Sequence, residues 1–106
     1  MERTEPRRAI GAQLGLAMAQ AAKRRAQTAL ELLERVLSGE TEPSTALRQW
    51  PEIDAESDDL LAASWHDLSH FSADEDIRRK DRDYAEYQAR LLARRVQEIR
   101  TKFELG

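Results

Sequence analysis

His66 and His70 are the only imidazoles in this chain, and they stand four residues apart. On a helix that spacing puts both rings on one face, as a pair of metal ligands requires. Asp67 lies three residues before His70, and Asp59 and Asp74 fall one or two turns away. The five residues define a candidate metal shell on a His-x3-His helix. Two departures count against it. The residue after the first histidine is Asp67, where the zinc motif carries Glu. A di-iron bundle pairs two Glu-x-x-His units, and here there is one Asp-x-x-His analogue. The plainer reading is that the rings flank an apolar stripe through Trp65 and Leu68 and bond to nearby acids. No cofactor is expected on that reading, and a metal-binding bundle is the alternative.

Other residues suit binding better than catalysis. Trp50 precedes Pro51, and a tryptophan in a loop on a helical scaffold serves as an anchor for a partner or as a roof for the core. Trp65 is the second candidate anchor. Lys23, Arg24, Arg25 and Arg90, Arg94, Arg95 would build a basic stripe for nucleic acid if the first and last helices are neighbours. Stacking aromatics are scarce, and an acidic middle segment opposes phosphate approach, so nucleic acid is the second alternative. Asp74-Glu75-Asp76 before Arg78-Arg79-Lys80 reads as a helix start followed by a solvated face. Tyr84 and Tyr87 read as packing residues with hydroxyls at the surface. There is no cysteine, no Gly-rich phosphate loop and no nucleophile elbow, so an enzyme is not expected.

Helices must position these groups. Charged residues make up 35% of the chain, and glycine and proline are few; with abundant Ala, Leu, Glu and Arg this is the stock of long helices with solvated faces. A first helix is expected over 6–38, with Pro6 in its first turn, Gly39 just past its end, and Ile10, Leu14, Met18, Ala22, Ala26, Leu30, Leu33 and Leu37 at spacings of three and four. A short helix over 44–50, capped by Thr41 or Ser44, stops at Pro51. A third helix is expected over 57–71, with Ser57 as cap and Asp58 and Asp59 at its positive end. Ser72 and Glu75 form a capping-box pattern, which predicts a fourth helix over 73–103. Its stripe is Ile77, Tyr84, Ala85, Ala89, Leu92, Val96, Ile99 and Phe103.

The charges are segregated. Residues 49–77 hold nine acids and no Lys or Arg, while the remainder carries eleven acids and all seventeen bases. An acidic middle is therefore expected to pack across two basic flanks. Arg7-Arg8 before the uncharged run 9–22 loosely imitates a secretion signal, but Glu2, Glu5, Gln13 and Gln20 break the pattern, and the run is too short to span a bilayer.

The 106 residues suit one domain. The expectation is an all-α helical bundle of two long antiparallel helices, with a short helix and a third helix packed on them. Thirty helical residues reach about 45 Å, more than the width of a compact domain this size, so the long helices overhang. A second copy covering the overhang makes a homodimer the expected state. The function that fits is a cytoplasmic, bacterial-type, non-enzymatic module that binds an unidentified protein partner, with no membrane contact.

Overall fold

The computed structural model describes the backbone of residues 4–106 and the side chains of residues 14–106. The described residues form an all-α bundle with no strand. Its helices are α1 (Thr4–Leu37), α2 (Pro43–Gln49), α3 (Asp59–Ala73), α4 (Glu75–Lys80) and α5 (Arg82–Phe103), with one 3-10 turn, Ile53–Ala55, ahead of α3. Ile10 of the expected stripe, and the part of the signal-like start before Leu14, lie outside the described side chains.

Helix α1 ends as its glycine requires. Gly39 sits at φ 80, which costs a residue without Cβ nothing. Its N–H reaches the Val36 carbonyl at 3.1 Å, and the Glu40 N–H reaches Arg35 at 2.9 Å. This Schellman pair satisfies carbonyls that the helix end leaves open. Helix α2 begins one residue earlier than expected, with Pro43 in its first turn and Glu42 ahead of it. Neither Thr41 nor Ser44 takes the cap position.

Two expected helix starts are corrected by the structure. The residue capping α3 is Asp58, not Ser57: its Oδ1 accepts the Leu61 N–H at 3.0 Å. A carboxylate satisfies the same donor as a hydroxyl and also complements the helix dipole. The capping box at Ser72 does not form. Helix α3 runs on through Ser72 to Ala73, and Asp74 stands between α3 and α4 without capping either through its side chain.

The expected helix over 73–103 is two helices, parted at Asp81. The Asp81 N–H closes α4 on the Ile77 carbonyl, and its carboxylate accepts the Tyr84 N–H at 3.1 Å, opening α5. The break lets the chain fold back. Asp74 and Gln88 would be about 21 Å apart on a straight helix, yet their side chains bond at 3.0 Å.

Helix α5 lies antiparallel to α3, with Lys102 on Asp58, Arg95 on Asp67 and Gln88 on Asp74. It also lies antiparallel to α1, where Arg100 binds Glu34. The core draws Ala26, Ala29, Leu30, Leu33 and Val36 from α1, Leu61 and Leu68 from α3, and Leu92, Val96 and Ile99 from α5. Positions recurring one or two helical turns apart keep each set on one helix face. Ile77 of the expected stripe is 49% exposed, because it belongs to α4 and not to the helix that carries the stripe.

The acidic middle does bind the basic flanks. Arg25 of α1 grips Glu56, and Arg95 and Lys102 of α5 take Asp67 and Asp58. The two long helices overlap only near their C-terminal ends, so the bundle is staggered and measures 70 × 24 × 20 Å. The 34 residues of α1 account for about 51 Å of that length.

Candidate functional site

Stagger leaves two regions in which function can reside. One is the first half of α1, an arm extending past the end of α5. Every described residue from Leu14 to Gln20 is exposed, and Leu14, Leu16 and Met18 stand at 61%, 62% and 71%. At 100° per residue, Leu14 and Met18 share a face and Leu16 lies nearly opposite. The arm is therefore apolar on more than one side. Where it leaves the body, Gln20, Lys23, Arg24 and Gln27 line an open groove against Leu105.

The second region is a cleft of about 210 Å³ between α3 and α5. Asp67 and His70 border it from α3, Asp74 from the junction, and Tyr84, Tyr87 and Gln88 from α5, with Leu91 and Leu92 beside them. The α5 residues recur at three and four, so one helix face supplies that wall. Gln88 is buried and its amide is spent within the protein. Its Oε1 accepts from Arg78 at 2.9 Å, and its Nε2 donates to Asp74 Oδ2 at 3.0 Å. The Tyr84 hydroxyl donates to the same carboxylate oxygen at 2.6 Å. That hydrogen bond, with burial adding to it, raises the Tyr84 phenol above its ordinary value, because ionising it would set two anions together. Arg78 holds the other end of the Gln88 amide without lining the cleft itself: its guanidinium lies 3.6 Å over the Phe71 ring and donates to the Phe71 carbonyl.

The five expected metal ligands are not assembled. Asp67, His70 and Asp74 border the cleft, and His66 and Asp59 do not. His66 is exposed on the next turn, its ring edge-on to Trp65 at 5.2 Å. Asp59 lies in the first turn of α3, about 16 Å along the helix from His70. Asp67 is held by Arg95 at 2.6 Å; this hydrogen bond raises the Arg95 pKa. Among the described residues no group of three or more His, Asp or Glu side chains is placed to hold a metal.

The candidate anchors divide. Trp50 is 6% exposed and belongs to the core, so it is corrected from partner anchor to roof: a large ring just before Pro51 is buried among the apolar side chains rather than left in water. Its Nε1 has no acceptor. Trp65 is half-buried against the same core, with part of its ring at the surface.

The basic stripe does not form either. Helices α1 and α5 are neighbours, but they are antiparallel and staggered. Counting from the Glu34–Arg100 contact, Lys23 and Arg94 lie in opposite directions, about 25 Å apart along the bundle. Arg25 and Arg95 are tied to Glu56 and Asp67. Lys23, Arg24, Arg90 and Arg94 stay exposed, in two separate places.

Sequence reasoning missed Gln88, Arg78 and Glu56. A signal for the first two was present: Asp81 followed by Asp83 is a helix-start pattern of its own, and splitting the helix there returns Gln88 to Asp74. No helix among the described residues is long and apolar enough to cross a membrane. Comparison with protein-family models, with curated proteins and with solved structures finds no match for this chain.

Proposed function

We propose that this chain is a non-enzymatic helical interaction module, a small accessory or regulatory protein that acts as a homodimer and docks through the α1 arm. The observation that carries the reading is the exposure of Leu14, Leu16 and Met18 on a helix that no other described element covers. A helix apolar on more than one side is stable in water only when neighbours enclose it. Gly15 supports the same reading. A side chain there would meet nothing within 4 Å, so the fold itself has no need of a glycine that weakens the helix by roughly 1 kcal/mol. A glycine here lets a second helix lie close across this turn.

A second copy is the occupant proposed, because two-fold pairing lets one exposed patch cover another of the same kind. The test is the solution mass by light scattering across a dilution series, for the native chain and for Leu14→Lys combined with Met18→Lys. Both side chains are exposed, so the substitutions leave the body intact. The reading expects twice the chain mass for the native protein and the single mass for the variant, with equal helicity. A native chain that stays single at the highest concentration would overturn it.

A further inference from the structure

The α3–α5 cleft offers a binding function separate from the arm. Asp67, His70 and Asp74 all border it, yet they are not placed to share one metal ion. A metal demands ligands converging at about 2 Å. A cation of several atoms does not, since carboxylates on different walls can each reach it at hydrogen-bond distance. We propose that this cleft binds a small organic cation, a primary alkylammonium with a short apolar chain.

Its polar atoms are arranged for such a ligand. Tyr84 and Gln88 both donate to Oδ2 of Asp74, and Arg95 approaches Oδ2 of Asp67. In each carboxylate the Oδ1 is left as an acceptor. No Lys or Arg lines the cleft. Arg95 pairs with Asp67 but is not a lining residue, and the Gln88 amide bonds Arg78 at one end and Asp74 at the other. Because Gln88 is buried and bonded at both ends, Asp74 is held in place before any ligand arrives, which lowers the cost of binding.

The apolar part of the ligand has its own wall. The Tyr84 and Tyr87 rings stand 6.2 Å apart and tilted by 33°, and a tyrosine face attracts ammonium through its quadrupole. Leu91 and Leu92 line the cleft beside them. At about 210 Å³ the space is below that of drug-sized pockets, which limits the ligand to a few carbons.

The test is an NMR titration of the full chain with n-butylammonium, following His70, Tyr87 and Leu91. Butan-1-ol and butyrate are the neutral and anionic controls of similar shape, and zinc is the metal control. The proposal expects saturable shifts with the ammonium alone. Tyr87→Leu and Asp74→Asn, each checked for native helicity, should weaken binding by at least about tenfold. Tyr87 makes no hydrogen bond in this network and is half-exposed, so its variant decides the matter if Asp74→Asn does not fold. Shifts that never saturate, shifts equal for butan-1-ol, unaltered affinity in Tyr87→Leu, or zinc displacing the ammonium from the same residues would each overturn it.

Discussion

Arg25→Met should be among the most damaging single substitutions in this protein, although it touches neither the arm nor the cleft. Glu56 has only 1% of its side chain exposed, and Arg25 has 21%. Arg25 Nε and a terminal nitrogen reach the two Glu56 oxygens at 3.0 and 3.2 Å. The same carboxylate accepts the Asp58 N–H at 2.9 Å, just ahead of α3. The Glu56 hydrogen bond, opposed in part by burial, raises the Arg25 guanidinium above its ordinary value. Removing the guanidinium strands a carboxylate in the protein. Breaking a buried pair costs about 3–5 kcal/mol; the partial exposure of Arg25 screens some of that, leaving roughly 2–3 kcal/mol.

For a domain this size such a loss lowers Tm by roughly 10–20 °C. Glu56→Leu alone should cost a similar amount, through the unpaired guanidinium and the lost Asp58 contact. The double variant should cost clearly less than the sum, because two apolar side chains leave no stranded charge. Urea midpoints for the four proteins measure the coupling. If each single variant lies within about 0.5 kcal/mol of the native chain, or if the two losses simply add, the pair is solvent-screened and the argument from burial is wrong.

Two further outcomes follow from local geometry. Burial is the largest influence on Asp58 and pushes its pKa up, but Lys102 and the Leu61 and Leu60 amides together outweigh it, and the net direction is down from 3.8. A depressed folded pKa contributes stability above the unfolded value and loses it as pH falls through the folded one. Urea midpoints below about pH 4 should therefore drop less steeply for Asp58→Asn than for the native chain, and parallel acid limbs would refute the assignment. Glu104 sits at φ 55 in the left-handed region, where it closes α5 as Gly39 closes α1, its neighbour Leu105 N–H reaching Arg100 at 2.9 Å. Glu104→Gly should raise stability by up to about 1 kcal/mol, read as a higher thermal midpoint; a lower one would show that the side chain is not strained.

Much of the local structure was legible in the chain. The glycine after α1, the proline after α2 and the apolar spacing of Leu92, Val96, Ile99 and Phe103 act through backbone conformation and helical period, which need no distant partner. The segregation of charge likewise announced that the middle segment would bind the flanks. Competing helix starts with equal local merit were not decided there. Ser57 or Asp58, and Ser72 or Asp81, can each start a helix. The choice went to Asp58, which Lys102 also grips, and to Asp81, where a break lets Gln88 reach Asp74.

The candidate sites depended still more on tertiary structure. The sequence placed Trp50 at a loop and the basic residues on two helices, and both facts hold. Whether the indole faced solvent, and whether the bases shared a surface, turned on the direction of one turn and the stagger of α1 against α5. Those follow from how apolar faces interlock over the whole bundle, a property of many side chains together and of no single spacing. The cleft is the clearest case: its walls come from α3, the junction and α5, and a chain whose last helix ran unbroken from Ala73 would not contain it.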